Sequence, residues 1–370
     1  MRFDLEAEVA APTALTVRRA TGNDLETLEW ITGTSVRGAL AAWYGRTHGS
    51  PGDERFQRLF VKGSVRYGCL RPTGCDFWPL SSRTCKQQPV EHPVIDRLLA
   101  AAAGKSIAME CECESKYEPP GIFLHKSERP SGGIVYQEYE VKTRRITHSS
   151  IDPKLLKTRP GQLYSMRCVE GGQKFKGSLS VEESALADLD AVWPEGEYIR
   201  IRIGRARSRG QGEALLRRLR AADDTDEVKK RLAECQAKAA LMSGRLAGKA
   251  VFAVTLQAPA MVRDSYLLSR TWLEPADVGL GRDWTLMSWF SLGWTVAGWH
   301  AAAGVPRSEQ IAIAPGSCFL FGRDVANIDM VALQSAAVRL EEEGIGERRI
   351  EGMGEVRVCQ AIHAENAEGA

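Results

Sequence analysis

The sequence predicts an α+β protein built from two tandem units, with a Cys- and Pro-rich insertion in the first. Three observations predict it. Each half opens with a strand of alternating apolar and polar residues, one glycine-rich motif occurs twice, and residues 69 to about 132 break the strand–helix order. A chain of 370 residues suits two domains of moderate size. The first unit is read over residues 1–213, a helical connection over 214–247, the second unit over 248–362 and a flexible tail over 363–370.

The elements follow from local pattern. In "RFDLEAEVA", Phe3, Leu5, Ala7 and Val9 fall on one face of a strand. In "WITGTSVRGALAAWYGR", Thr34 or Ser35 caps a helix whose Val36, Leu40 and Trp43 share a face. The insertion is rich in Pro, Gly and Cys and holds one short helical stretch near "VIDRLLAAAA". Strand signals return at "GGIVYQEYEVKTRRITHSS" and "GQLYSMRCVEGGQKFKGSLSV". Ser180 and Glu183 then stand at capping-box spacing before a helix with a Leu186, Leu189 and Trp193 stripe. "YIRIRIG" alternates Ile199, Ile201 and Ile203 with arginines, a half-exposed strand with a basic outer face. The charged, alanine-rich run from 213 to about 247 reads as mostly helical, with a solvated break at "AADDTD".

The second half begins at "AVFAVTLQAP", where Phe252, Val254 and Leu256 share a strand face. Strands follow in "SWFSLGWTVAGWH" and "IAIAPGSCFLFG". A helix begins near Asn327, with Ile328, Ala332, Ala336 and Leu340 in register and Gly344 as its C-terminal cap. "EVRVCQ" closes the half as a strand. Trp284, Trp289, Trp294 and Trp299 recur every five residues, a period of neither helix nor strand. They read as hairpin and core packing, with a base-stacking platform as the alternative.

The repeated motif is "IGRARSRGQGE" at 203–213 and "IGERRIEGMGE" at 345–355. The two align without a gap and share six of eleven positions, Arg207 and Arg349 among them. An internal duplication of one α+β unit explains this most simply. The spacing fits neither the dinucleotide fingerprint nor a Walker loop. Glycines let backbone N–H groups approach an anion, and flanking arginines add charge and bidentate phosphate contacts. Solvated arginines on a structural turn are the alternative.

Composition narrows the function. The net charge is +2, so nucleic-acid binding has to come from local patches. No apolar run is long enough to span a membrane, and the first residues do not resemble a signal peptide. Nine cysteines, an odd number, suit reduced thiols in a cytoplasmic protein better than a disulfide framework. Cys85, Cys111 and Cys113, with Cys69, Cys75 and His92, crowd the insertion; Cys85, Cys111, Cys113 and His92 are candidate ligands for one structural zinc, although "CEC" departs from the usual knuckle spacing, and scattered buried thiols are the alternative. Otherwise no cofactor is expected.

The order of a strand, "WITGTSVRGAL" and a late I-G-x-x-R-x-x-G-x-G-E motif resembles the RAMP superfamily of CRISPR effector proteins. The first segment is similar to that family's I-P-G-S-S-L-R-G: Gly33, Ser35, Arg37 and Gly38 match, while Thr32, Thr34 and Val36 depart from it. "THSSID", "GQLYSMRCVEGGQKFKGSL" and "GWHAAAGVPRSEQIAIAPGSCFLFG" resemble segments of the large RAMP subunit of type III-D systems. The resemblance covers most of the chain apart from 214–247 and the tail.

It implies tandem RRM-like, ferredoxin-like units in a non-catalytic scaffold. Such a subunit grips the 5′ handle of the guide RNA and contacts a large polymerase-like subunit and the backbone RAMP subunits. The residues it points to for RNA are Gly33, Ser35, Arg37 and Gly38, then Arg205, Arg207, Arg209, Gly210 and Gly212 in the first loop, and Arg348, Arg349, Gly352 and Gly354 in the second. His148 is the candidate general acid/base if the protein instead cuts guide precursors without a metal, as some relatives do. Asp152 is not assigned the target-cleaving role that a loop aspartate has in backbone subunits. A small-molecule enzyme using the glycine loops for a nucleotide phosphate is a third reading, weakened by the loop spacing.

Overall fold

The computed structural model describes the chain except residues 16–23, 108, 129–133, 152–153, 155–156, 301–303 and 368–370. Asp152 therefore lies outside the described residues. The fold is mixed α/β, with two larger antiparallel sheets and several small ones.

The first sheet runs β4-β5-β1-β3-β2. Its strands are β1 (Arg2–Val9), β2 (Val65–Tyr67), β3 (Lys174–Val181), β4 (Tyr198–Arg202) and β5 (Glu213–Arg220), and a sixth, two-residue strand, Arg71–Pro72, also pairs with β3. Phe3, Leu5, Ala7 and Val9 are buried on one face of β1, as the alternation predicts. Helix α1 (Gly33–Thr47) covers that core with Val36 and Leu40. Its N-cap is Thr32, whose side chain accepts from the Ser35 N–H at 3.3 Å, not Thr34 or Ser35. Helix α2 (Glu54–Phe60) and α4 (Glu183–Val192) complete the layer. The expected capping box does not form, because Ser180 is taken up in β3 and Glu182 holds the cap position without a side-chain bond.

The largest departure is β5, whose residues 214–220 were expected to be helical. They pair instead with β1, from Val9↔Ala214 to Phe3↔Arg220, and with β4 on the other side. "LLRRLR" is a good helix former by composition, but a ladder on both edges and alternate burial of Ala214, Leu216 and Arg218 decide for strand. Arg218 is fully buried: its Nε donates to the Trp193 carbonyl at 2.7 Å and its guanidinium pairs with Asp190. The helical part of the connection is α5 (Thr225–Ala240) and a 3₁₀ turn at Gly244–Leu246.

The second sheet runs β7-β8-β6-β9, from β6 (Lys249–Leu256), β7 (Thr285–Phe290), β8 (Cys318–Asp324) and β9 (Val356–Val358). Helix α6 (Met330–Glu343) is capped by Asp329 and ends at Gly344, φ 66°. Its buried residues are Leu333, Ala337, Leu340 and Glu341; Ala332 is exposed and Ala336 half-buried, because the helix starts after Ile328 and turns the expected stripe by one position.

The insertion does not stand apart. Its helix α3 (Leu98–Ala103) packs in one core with α5, α6 and the second sheet. Of the expected tail 363–370, residues 368–370 lie outside the described residues, and the part before them is docked: Ile362, His363 and Ala364 of α7 (Ile362–Glu365) are buried, and His363 Nδ1 meets the buried Asp96 of the insertion at 2.9 Å. Ser81 and Ser82 donate to the same carboxylate at 2.6 and 2.9 Å. A chain of ion pairs joins the halves further: Arg71–Glu355 at 3.1 Å, Arg357–Asp76 at 3.4 Å, Arg357–Glu341 at 3.3 Å and Arg231–Glu341 at 2.5 Å.

Candidate nucleic-acid interface and metal centre

The two glycine-rich motifs have one backbone conformation. Gly204 and Gly346 have φ of 74° and 69°, Ala206 and Arg348 of 54° and 57°, Gly210 and Gly352 of 78° and 76°, and Gly212 and Gly354 of 77° and 73°. Each encloses a single 3₁₀ turn, Arg207–Arg209 or Arg349–Glu351. Each is pinned alike: the N–H of Gly212 donates to Pro12 at 3.0 Å and that of Gly354 to Pro259 at 2.8 Å. The final glycines are forced by space as well as by φ, since a Cβ on Gly212 would stand 2.0 Å from the Ile203 oxygen and one on Gly354 1.8 Å from the Ile345 oxygen.

Their surroundings differ. In the first loop Arg205, Arg207 and Arg209 are exposed, and they continue the exposed face of edge strand β4, where Arg200 and Arg202 point outward. Arg200 pairs with Glu213 at 3.4 Å, and Arg202 Nη1 donates to the Arg207 carbonyl at 3.2 Å. Arg209 donates to the Tyr164 hydroxyl. The Tyr164 ring stacks on His148 with centroids 5.2 Å apart, and His148 Nε2 lies 3.4 Å from the Gln211 amide. His148 thus stands beside the first loop, on the hairpin Thr143–Ile151/Thr158–Val169. The buried Gln211 Oε1 has no hydrogen-bond partner.

In the second loop the positions matching Arg205 and Arg209 are Glu347 and Glu351. Glu351 is nearly buried. It accepts from Arg37 at 2.9 Å, from Arg307 at 3.1 Å and from Arg348 Nε at 3.0 Å, and Thr34 donates to it at 3.3 Å. Burial opposes its ionisation, but the Arg348 and Arg307 charges outweigh that and hold it below the usual carboxylate range. Arg37, expected to contact RNA, is therefore paired with a carboxylate of the same chain. Arg37 Nε is also used, donating to the Phe60 carbonyl at 2.8 Å.

The expected glycines follow suit. A Cβ on Gly33 would stand 1.9 Å from the Tyr67 oxygen and 2.5 Å from that of Glu351, and one on Gly352 2.4 Å from the Tyr67 oxygen. Gly33 lets the second loop lie against α1, and Gly352 lets it lie against the end of β2. Ser35 Oγ is 2.9 Å from Thr32 Oγ1 within the cap, while Gly38 is exposed with open space beside it. Arg348 is turned inward, and Arg349 stays half-exposed with Nη1 3.4 Å from the Glu343 carbonyl. Glu351, Arg307, Tyr164 and Gln211 were not expected at the site. The signal for Glu351 was in the alignment, as a charge reversal against Arg209.

The tryptophans divide as packing predicts in part. Trp284 is buried, Trp294 packs on Trp30 at 5.5 Å between centroids, and Trp289 is exposed.

In the insertion, the ligand atoms of Cys85, His92, Cys111 and Cys113 lie within 4.8 Å of one another, a set that can hold a metal ion. Burial opposes ionisation of Cys85, but the Gln88 N–H, the Cys113 thiol, the Gln87 N–H and His92 bring it down to about 6. Cys111 is lowered too, against burial, by the Cys113 N–H, Tyr117 and His92. Among the described residues no helix is long and apolar enough to cross a membrane.

No known family profile matches the chain, and no curated protein matches it. Solved structures do share parts of its outline. A cryo-EM structure of the type III-B Cmr-beta bound to cognate target RNA and AMPPnP aligns over 90% of this chain and 92% of its own, at 10% identity and a TM-score of 0.43. Cmr4 (Cas7) of Pyrococcus furiosus aligns over 60% and 100%, at 13% identity and 0.28. A Cas6 product complex aligns over 51% and 80%, at 13% identity and 0.32. Identities and scores of this order leave the family unassigned.

Proposed function

We propose that the protein is a non-catalytic RNA-binding scaffold subunit of a type III CRISPR effector complex, of the III-D kind. In this reading it holds the 5′ handle of the guide RNA and contacts the polymerase-like and backbone RAMP subunits. The family part rests on the order of the "WITGTSVRGAL" and doubled I-G-x-x-R-x-x-G-x-G-E motifs. The strand orders support tandem ferredoxin-like units: β5-β1-β3-β2 and β9-β6-β8-β7 are the same arrangement, all antiparallel.

The observation that carries the RNA-binding part is the charge contrast between two loops of one conformation. The first presents Arg205, Arg207 and Arg209 to solvent, and the second spends its Glu351 on Arg37, Arg307 and Arg348. The RNA path therefore runs over the first loop and the basic face of β4, and the second copy clasps the two halves together. Exposed arginines on a loop and a sheet edge grip phosphates without reading sequence. The metal-capable cluster enters as a structural element only, because four protein donors leave no open position for a substrate.

The test is to purify the protein with the products of its neighbouring genes and sequence the bound RNA. Enrichment of CRISPR-derived RNA with a common 5′ end is expected; its absence overturns the proposal. The position of His148 against Tyr164 and Gln211, with Arg209 on the Tyr164 hydroxyl, favours one second reading, a metal-independent endoribonuclease that cuts guide precursors. Unchanged precursor processing by His148→Ala removes that reading.

A further inference from the structure

We infer that Cys85, His92, Cys111 and Cys113 bind one zinc ion in a closed tetrahedral site. Its role is to lock the excursion 85–113, and with it helix α3, onto the second half of the molecule.

The geometry is already that of a shell around a small ion. Zinc–sulfur bonds of about 2.3 Å place tetrahedral sulfurs about 3.8 Å apart, and a zinc-bound nitrogen lies about 3.5 Å from each sulfur. Cys85 Sγ is 3.5 Å from Cys113 Sγ, and His92 Nδ1 is 3.1 Å from Cys111 Sγ. The donors are three thiols and an imidazole with no carboxylate, a soft set that suits zinc and not magnesium or calcium.

The backbone is built to deliver them. Cys85 ends the strand Ser82–Cys85, which pairs with Tyr117–Glu118 through Cys85↔Tyr117. Cys111 and Cys113 sit on the turn just before that partner strand. The turn is closed by Glu114 N–H to the Cys111 carbonyl at 2.8 Å and Cys111 N–H to the Ser115 carbonyl at 2.8 Å. Glu114 takes φ 61° to make it.

Among the described residues, none of 86–93 or 104–116 belongs to a hydrophobic core cluster. Yet the chain between them carries Leu98–Ala103 into the second core and Asp96 onto His363. A segment without a core of its own needs a staple, and a metal site is one of the few available. Zinc at this site would fix both ends of the excursion and keep α3 and α7 docked.

The experiment is metal analysis of the full chain, purified reduced and without a tag, by inductively coupled plasma mass spectrometry. About one equivalent of zinc is expected, and less than a tenth of an equivalent overturns the inference. Cobalt exchanged into the site should give thiolate-to-metal charge-transfer and intense tetrahedral bands. Cys113→Ser removes the exposed ligand, so it is the variant least prone to misfolding. It should lose at least half of the zinc and cut faster with protease between 86 and 116. His92→Cys should retain zinc and shift the cobalt bands. Zinc that stays at one equivalent in both Cys113→Ser and Cys85→Ser lies elsewhere and overturns the inference.

Discussion

Arg37 of the first helix and Glu351 of the second glycine-rich loop meet at 2.9 Å, joining residues 314 positions apart. Arg307 and Arg348 converge on the same carboxylate. Glu351→Ala leaves three guanidinium groups together without their anion. Breaking a buried pair costs about 3–5 kcal/mol, and the arginine side chains are 22–30% exposed, so a loss near ~3 kcal/mol is expected. Urea unfolding at neutral pH measures it. Because the folded pKa is depressed, this stabilisation is present above the unfolded value and is lost as pH falls through the folded one. The Glu351→Ala deficit should therefore shrink in acid.

Replacing Arg205, Arg207 and Arg209 together by alanine should weaken binding of single-stranded RNA at least ~10-fold in low salt. The slope of log affinity against log salt should flatten by about 2, near 0.7 per lost phosphate contact. Arg349→Ala, on the closed loop, should change the slope little. Fluorescence anisotropy across a salt series separates the two, and equal effects would remove the asymmetry between the loops.

Gly210 and Gly212 share a left-handed backbone but not their space. An added Cβ meets nothing at Gly210, whereas at Gly212 it lies 2.0 Å from the Ile203 oxygen. Gly210→Ala should cost about 1–2 kcal/mol from the backbone alone. Gly212→Ala should cost at least ~1 kcal/mol more, since the motif has to open. Thermal melts of the two variants give the difference.

Asp96 and His363 are both fully buried and bond at 2.9 Å. Burial alone would raise the Asp96 pKa, but His363, Ser81 and the Leu98 N–H overcome it and hold the value low. Asp96→Ala should destabilise by about 3–5 kcal/mol. The contribution is complete above the unfolded carboxylate pKa and fades as pH drops through the folded one. Limited proteolysis of the variant should release the C-terminal residues first.

Local pattern was enough wherever one face of an element met one core. Leu5 and Val9, Val36 and Leu40, and Ile199 and Ile201 are buried as their periodicity indicates. It failed where a neighbour supplied the deciding force. "LLRRLR" becomes strand between two ladders, and the supposed tail residue His363 is buried by an aspartate from the insertion. At the candidate site, the sequence singled out Arg209 and Arg349 but gave no sign that Glu351 would reach Arg37, because that contact needs both halves folded.

By itself, then, the sequence determined the repeated motif and its two glycine-rich loops, since these are encoded in local spacing and residue type, whereas the thiols and imidazole of the insertion were legible only as candidates. Glycines at fixed intervals impose the same φ values on both loops wherever they lie. Only the tertiary structure decided which loop faces solvent. That depends on what packs opposite each one: α1 closes over the second through Gly33 and Glu351, while the first sits beside edge strand β4 with its arginines outward. Burial of a charge requires a partner brought from far along the chain, and no local pattern records that partner.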